Sequence, residues 1–138
     1  MKRPQLRTRY DNDVPILEQL GADDLRQTVI AFRDTMKAHA TAINRLNVYP
    51  VPDGDTGTNM ARTLDAVVAE LETEDRGMES TCHAISHGSL MGARGNSGVI
   101  LSQILRGLAS TLADVKDQRA SATYVADALK KASVAAYD

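Results

Sequence analysis

The sequence has little cysteine, no long apolar run and no marked excess of either charge. Cys82 is its only cysteine, so no disulfide bond can form within the chain, and a secreted fold stapled by disulfides is excluded. No apolar run approaches the roughly 18 residues of a membrane span, and the N-terminus lacks the hydrophobic region of a signal peptide. We therefore expect a soluble, cytoplasmic protein with no membrane span.

Positive and negative charges are nearly balanced over the whole chain. The formal net charge of the 138 residues is −2, and 25% of the residues are charged, which is ordinary for a globular protein. Four basic residues lie among the first ten positions, but no aromatic residue separates them. This pattern favours a solvated tail over a nucleic-acid interface, so no nucleic-acid partner is expected.

The apolar pattern divides the chain into a leader and one domain. Residues 1–13 show no apolar period and are interpreted as a mobile leader, whereas residues 14–138 are enough to bury one hydrophobic core. Within this domain apolar residues recur at three- and four-residue steps, which is typical of amphipathic helices. The first predicted helix runs from Ala22 to just before Pro50, and the second runs from near Gly57 to between Glu74 and Gly77. The third begins with a cap at Ser80 or Thr81, and the fourth includes Val99–Leu108. The fifth runs from about Ser121 to Ala136. No strand is predicted, so the expected fold class is all-α.

The stretch Asp53–Met60, which reads D-G-D-T-G-T-N-M, interrupts this helical pattern. Two prolines precede it and two glycines lie within it, so the loop is held in a defined, non-helical shape. Asp53 and Asp55 offer carboxylate oxygens, which magnesium and calcium prefer as ligands. Neutral polar side chains follow at Thr56, Thr58 and Asn59. We interpret the stretch as a site where a cation holds an anion.

A simpler interpretation of the same stretch is a turn whose aspartates only cap the helix that follows. An EF-hand is excluded, because counting from Asp53 the glycine and glutamate positions of that motif hold Thr58 and Leu64. The next helix is expected to start near Gly57. Its unpaired backbone amides and its dipole would then face whatever the aspartates hold.

A second unusual segment, Gly92–Gly98, reads G-A-R-G-N-S-G and precedes a strongly apolar helix. Asn96 or Ser97 is the predicted N-cap, and a glycine-rich loop that opens a helix can present backbone amides to a phosphate. The segment is not a Walker A motif, since no Gly-Lys-Ser/Thr follows. No preceding strand supports a dinucleotide-binding turn.

His83 and His87 are four residues apart, which places them on one face of a helix, as metal ligands sometimes are. No third ligand is obvious, so structural or solvent-exposed roles are favoured. Cys82 lies beside them on an apolar face and is expected to pack in the core.

Two segments together resemble the nucleotide-binding L domain of dihydroxyacetone kinases, and the resemblance is closest to the N-terminal ATP-binding domain of bacterial fatty acid kinase. Residues 46–60 read L-N-V-Y-P-V-P-D-G-D-T-G-T-N-M, and residues 92–103 read G-A-R-G-N-S-G-V-I-L-S-Q. The helical order between the segments also matches. The resemblance implies a barrel of antiparallel amphipathic helices with ATP and two magnesium ions bound by loops at one end.

The resemblance also implies roles for individual residues. Asp53 and Asp55 match catalytic carboxylates that bridge the metal ions to the phosphates. Dihydroxyacetone kinases have a third aspartate before these two, whereas this chain has Asn47 nearby, which makes Asn47 a weaker candidate for a metal ligand. The positions that match contacts to the nucleotide are Thr56, Gly57, Thr58, Asn59, Gly95, Asn96, Ser97 and Gly98.

The implied function is ATP-dependent phosphoryl transfer, in which positioning and neutralisation of charge do the work. In the family a separate protein or subunit presents the acceptor. A fatty acid is the expected acceptor, and a dihydroxyacetone-like hydroxyketone is the alternative.

Related domains continue beyond the length of this chain, so we expect a C-terminal truncation, with a possible homo-oligomer because an open barrel exposes apolar faces. A non-catalytic nucleotide-binding or assembly module is the alternative function.

Overall fold

The computed structural model of the chain describes residues 17–46 and 54–137. Five α-helices make up most of this part of the chain, which confirms the predicted all-α class. The helices are α1 (Ala22–Leu46), α2 (Thr56–Thr73), α3 (Met78–Gly92), α4 (Gly95–Leu112) and α5 (Ala122–Tyr137). A short 3-10 turn, Lys116–Gln118, follows α4. The predicted leader, residues 1–13, lies outside the described residues.

Consecutive helices pack antiparallel, as the short connections between them favour. Contacts between α1 and α2 run in opposite directions along the two helices: Arg26 Nη1 donates to Leu71 O at 2.6 Å, and Arg33 Nη1 donates to Asp65 Oδ1 at 3.2 Å. The same reversal relates α2 to α3 and α4 to α5. Because the direction alternates, α2 and α4 point the same way, and their N-terminal ends lie at the same end of the molecule.

The hydrophobic core lies between the inward faces of the five helices, and α2 is at its centre because it packs against α1, α3 and α4. Leu64 and Val67 of α2 are both 0% exposed. The other large apolar side chains of the core are Leu25, Val29, Met36, Val68, Leu71, Met78, Ile85, Leu101, Leu105 and Leu112. Within the described ranges, no helix combines the length and the apolar character that are needed to cross a membrane.

Two strands of two residues each pair antiparallel, so the prediction of a chain without strands was wrong at this point. The strand β1 (Gln19–Leu20) lies beside β2 (Ala120–Ser121), with Leu20 opposite Ala120. The pair ties the residues before α1 to those before α5. Two residues are too few to show the apolar alternation by which a strand is recognised in a sequence.

Helix α3 begins earlier than predicted. Its N-cap is Gly77, and the Met78 amide donates to Gln118 Oε1 at 3.1 Å. Met78 is 1% exposed, so its burial draws the start of the helix toward the core. Ser80 and Thr81, the predicted caps, therefore lie within the helix. A distant glutamine side chain has replaced the local cap that the sequence suggested.

Arg26 fastens the C-terminal end of α2 to its neighbours. It is only 7% exposed, and its guanidinium donates hydrogen bonds to the Thr81 hydroxyl and to the carbonyl groups of Leu71, Glu74 and Asp75. A cation is favourable at this position, because the C-terminal end of a helix carries partial negative charge. The contact fixes α1, α2 and α3 at the end opposite the predicted loops.

Candidate functional site

The N-terminal ends of α2 and α4, which carry the two segments singled out from the sequence, lie in direct contact. A Cβ atom added to Gly95 would overlap the side-chain amide of Asn59, and one added to Gly98 would come within 2.5 Å of Thr63 Oγ1. The Arg94 amide donates to the same Thr63 hydroxyl at 3.2 Å. The structure thus brings together the residues around Asn59 and those around Gly95, although more than 30 positions separate them in the sequence.

Asp55 is the N-cap residue of α2, yet its side chain makes no capping hydrogen bond. Its backbone carbonyl accepts the Asn59 amide at 2.9 Å, which begins the helix. The residue is exposed. The turn-capping interpretation therefore does not describe the Asp55 carboxylate, which is directed to solvent at the positive end of α2. The other predicted metal ligands, Asp53 and Asn47, lie outside the described residues.

Asn44 of α1 caps α2 in place of Asp55. The Thr58 amide donates to Asn44 Oδ1 at 3.1 Å, and Asn44 Nδ2 donates to the Thr58 hydroxyl at 2.9 Å. Sequence reasoning missed Asn44. A signal was available, because Met36, Ala40 and Asn44 follow one another at four-residue steps along the stripe that faces α2. A polar residue that continues an apolar stripe suggests a buried polar partner.

The predicted nucleotide contacts in α2 occupy its first turn, and they have different surroundings. Gly57 is buried, and an added Cβ would overlap the backbone carbonyl of Ala40. The need for glycine at this position therefore follows from the close packing of α2 on α1. The Thr58 hydroxyl and amide are both bonded to Asn44. Thr56 and Asn59 are half-buried at the edge of the turn.

The second predicted segment forms the first turn of α4. The helix begins at Gly95, where φ is +66°, and its N-cap is Arg94 rather than Asn96 or Ser97. The prediction of the N-cap was wrong because the glycine adopts a backbone conformation that starts the helix two or three residues earlier. The Arg94 carbonyl accepts the Gly98 amide at 3.1 Å, which is the first bond of the helix.

Two helix N-termini at one place favour an anion. In each helix the amides of the first three residues have no intrahelical acceptor, and those residues are Thr56, Gly57 and Thr58 in α2 and Gly95, Asn96 and Ser97 in α4. Of these six, the Thr58 amide is bonded to Asn44. Aligned peptide dipoles add partial positive charge at each N-terminus, and such ends commonly bind phosphate groups.

The same place also suits a divalent cation, because the protein offers an oxygen ligand there. The exposed Asp55 carboxylate is a hard oxygen ligand, and magnesium is commonly held by one or two carboxylates together with phosphate oxygens. Within residues 17–46 and 54–137 there is no group of three or more His, Cys, Asp and Glu side chains arranged to bind a metal ion. The described residues therefore supply part of a ligand set, to which phosphate oxygens and the predicted ligands outside the described residues would add.

His83 and His87 do not belong to this site. Their rings stack with centroids 5.6 Å apart, and their Nδ1 atoms lie 3.1 Å from Glu74 Oε1 and 2.7 Å from Glu70 Oε1, respectively. These pairs join α3 to α2 on the surface. Cys82 is 2% exposed and packs in the core, as expected. Burial raises the pKa of the Cys82 thiol to about 12, so the thiol is not an activated nucleophile.

Comparison with known proteins gives relatives that are much longer than this chain. Protein YloV of Bacillus subtilis is 42% identical over 104 residues, which cover 73% of this chain and 18% of that protein. An uncharacterized protein of Staphylococcus saprophyticus is 47% identical over 90 residues, and one of Staphylococcus aureus is 45% identical over 85 residues. These matches cover 62% and 61% of this chain, and 16% of each relative. The chain thus spans less than a fifth of the length of these relatives.

The sequence profile of the DAK2 domain matches residues 50–138, which is more than half of the chain. The matched range includes both segments that meet at the N-terminal ends of α2 and α4. The DAK2 domain belongs to the dihydroxyacetone kinase family and is associated with kinase-type function and nucleotide binding. With its helical fold and these two segments, the chain is a member of the DAK2 domain family.

Proposed function

We propose that the adjoining N-termini of α2 and α4 bind the phosphates of ATP together with magnesium, and that the chain is the nucleotide-binding module of a kinase. The main observation behind the proposal is that Asn44, and not Asp55, caps α2. Asn44 caps α2, whereas the Asp55 side chain makes no capping bond and is exposed. An aspartate that is not needed for the helix stands where a metal-bound phosphate would meet two helix dipoles.

The predicted residues divide into metal ligands, donors to phosphate and glycines that allow close packing. Asp55, with Asp53 and Asn47, would hold the magnesium ions, of which two are expected from the family resemblance. The amides of the first turn of α4, Gly95–Ser97, would donate to phosphate oxygens. Gly98 and Gly57 serve through their small size, because each allows a close contact inside the protein. The N-termini of both helices would disperse negative charge on the phosphates.

Phosphoryl transfer makes modest demands on the side chains of such a site. The magnesium ions, when bound, neutralise charge on the β- and γ-phosphates and orient them. The chain's own residues fix the position of the triphosphate, and no side-chain nucleophile is required because the acceptor supplies the attacking oxygen. The described residues fit this division, since they offer backbone amides and one exposed carboxylate rather than an activated nucleophile.

The acceptor is proposed to be a fatty acid that a partner protein presents, by resemblance to fatty acid kinase. A dihydroxyacetone-like hydroxyketone is the alternative. The two acceptors would give products of different chemistry: an acyl phosphate reacts with hydroxylamine to a hydroxamate, whereas a phosphate ester does not. An assay with radiolabelled ATP and hydroxylamine therefore separates the alternatives once the partner is at hand.

Titration calorimetry with a non-hydrolysable ATP analogue, with and without magnesium chloride, tests the proposed nucleotide site. We expect binding that requires magnesium and that falls at least tenfold in Asp55→Asn, since the loss of a residue that only supports a metal ligand already costs about 10- to 100-fold in affinity. Asp65→Asn is the matched control. It removes the same charge from the same helix ten positions further on, about 15 Å along the axis, and we expect it to bind as the wild type does.

Two results would contradict the proposal. One is a folded wild-type chain that binds no nucleotide with magnesium, which would favour an assembly role. The other is equal binding by Asp55→Asn and the wild type, which would remove Asp55 from the metal site. Circular dichroism on the same samples establishes that each variant is folded.

A further inference from the structure

Thr63 of α2 lies beneath the candidate site and touches both of the segments that form it. Its side chain is 0% exposed. The Thr63 hydroxyl donates to the Asn59 carbonyl at 2.8 Å and accepts the Arg94 amide at 3.2 Å. A Cβ atom on Gly98 would come within 2.5 Å of the same hydroxyl oxygen. One buried oxygen atom therefore contacts the first turns of α2, the N-cap of α4 and the first turn of α4.

These contacts set where α4 begins relative to α2. Arg94 is the N-cap of α4, and its carbonyl starts the helix by accepting the Gly98 amide. Gly95 packs directly on the Asn59 side chain. A hydroxyl group has one donor hydrogen and two acceptor lone pairs, so Thr63 can bond to both helices at once. A side chain without the hydroxyl cannot make either bond.

Many threonines in helices donate to the carbonyl four residues earlier, and such a bond alone has no functional meaning. Thr111 of α4 gives the comparison within this protein, because its hydroxyl donates to the Gly107 carbonyl at 3.2 Å in the same manner. Thr111 is also buried, at 9% exposure, and it lies near the opposite end of α4. What distinguishes Thr63 is the second bond, to a backbone amide 31 positions away.

We propose that Thr63 is a positioning residue that holds the two phosphate-binding helix N-termini at the separation that the nucleotide requires. This inference rests on the proposed nucleotide site. Thr63 itself does not contact the nucleotide, because it is fully buried. It acts through the Arg94 amide and the Asn59 carbonyl, whose positions determine where the amides of Gly95–Ser97 lie relative to Asp55.

The test compares magnesium-dependent binding of the non-hydrolysable ATP analogue by four proteins: wild type, Thr63→Val, Thr63→Ser and Thr111→Val. Valine keeps the branched shape and deletes the hydroxyl, whereas serine keeps the hydroxyl. We expect Thr63→Val to weaken binding by about tenfold or more, in the range found when a supporting contact of a metal site is lost. Thr63→Ser should bind within about threefold of the wild type, and Thr111→Val should bind as the wild type does.

The control also separates positioning from general destabilisation. Thr63→Val and Thr111→Val each lose one buried hydroxyl and one bond to the carbonyl four residues earlier. An effect of these shared losses would lower affinity in both or in neither, whereas only Thr63→Val also loses the bond to the Arg94 amide. All measurements are made at a temperature where circular dichroism shows the variants fully folded. If Thr63→Val does not fold, the smaller pair Thr63→Ser and Thr63→Ala isolates the hydroxyl in the same way.

The outcomes distinguish the two proposals. If the wild type binds and Thr63→Val binds as well as the wild type, the positioning role is overturned while the nucleotide site stands. The same holds if Thr63→Ala binds as well as Thr63→Ser. If the folded wild type does not bind the nucleotide with magnesium, the proposed function fails and the positioning role fails with it. Loss of affinity confined to the variants without the Thr63 hydroxyl supports both.

Discussion

Asn44 and Thr58 are joined by two hydrogen bonds. Asn44 Nδ2 donates to the Thr58 hydroxyl at 2.9 Å, and the Thr58 backbone amide donates to Asn44 Oδ1 at 3.1 Å. The pair connects the C-terminal part of α1 to the first turn of α2. It supplies the cap that a residue at the position of Asp55 would ordinarily supply. Helix stability and the candidate metal ligand are therefore assigned to different residues.

This division predicts effects of different size on stability for the two polar residues Asn44 and Asp55. Asn44→Ala should lower the free energy of unfolding by about 1 kcal/mol, the usual cost of losing a helix cap. Asp55→Ala should change it by less than about 0.5 kcal/mol, because its side chain is exposed and makes no capping bond. Urea denaturation followed by circular dichroism measures both values. A larger loss in Asp55→Ala than in Asn44→Ala would mean that Asp55 is the structural cap after all.

Gly95 should tolerate no side chain. Its φ is +66°, a region that costs an L-residue roughly 1–2 kcal/mol, and an added Cβ would overlap the Asn59 side chain. We expect Gly95→Ala to lower the free energy of unfolding by at least about 1 kcal/mol. Gly21→Ala is the control, since a Cβ there would have no neighbour closer than 3.5 Å, and we expect it to cost less stability than Gly95→Ala does. Equal stability of the two variants in urea would contradict the described start of α4.

Arg26 should matter far more than a second arginine at the same end of the molecule. Arg26→Met leaves three carbonyl groups at the end of α2 without their donor, so the free energy of unfolding should fall by at least about 2 kcal/mol. Arg76 is 79% exposed and lies 3.4 Å from the exposed carboxylate of Asp23. Arg76→Met should therefore change stability by less than about 0.5 kcal/mol. Thermal denaturation that ranks the two variants in the reverse order would refute this account of Arg26.

The Cys82 thiol should make stability depend on pH in alkaline solution. Its pKa is raised to about 12 by burial, whereas an unfolded thiol has a pKa of about 8.5. The stabilisation from keeping the thiol neutral is complete below pH 8.5 and is lost as pH rises toward the folded-state value, on the order of 2 kcal/mol by pH 10.

Comparison with Cys82→Ala isolates the part of the pH dependence that belongs to this thiol. Urea denaturation at pH 7, 8.5 and 10 should show a steeper fall for the wild type than for the alanine variant, since all other titrating groups are shared. Parallel curves for the two proteins would show that the thiol is not buried as described. The native thiol should also react slowly with a disulfide reagent until the protein is unfolded.

The parts of the fold that the sequence predicted are those encoded by nearby residues. Three- and four-residue apolar steps located the five helices, and the glycine-rich stretches located the N-terminal ends of α2 and α4, where Asn59 and Gly95 meet. The errors have a common cause in contacts between distant residues. Gln118 caps α3 from 40 positions away, and Arg94 reaches Thr63 across 31 positions. No local pattern carries these contacts, so neither the start of α3 nor the role of Thr63 could be inferred from the sequence.

The candidate site was likewise predicted only in part from the sequence. The sequence located Asp55, and the structure adds the reason for its availability, which is the bond between Asn44 and Thr58. The N-cap of α4 was predicted at Asn96 or Ser97, because short polar residues usually occupy that position. The positive φ of Gly95 instead moves the start of the helix. Asp53 and Asn47 lie outside the described residues and stay predictions.

A magnesium–nucleotide complex bound between the N-termini of α2 and α4 would be located by paramagnetic broadening of backbone amide signals. Trace manganese replaces magnesium in the presence of a non-hydrolysable ATP analogue, and the amide signals of an isotopically labelled chain are recorded by nuclear magnetic resonance. We expect broadening of the signals of Asp55–Asn59 and Gly95–Gly98, with those of Met78 and Gln118 at the opposite end unchanged. Broadening centred on His83 and His87, or equal broadening with and without the nucleotide, would contradict it.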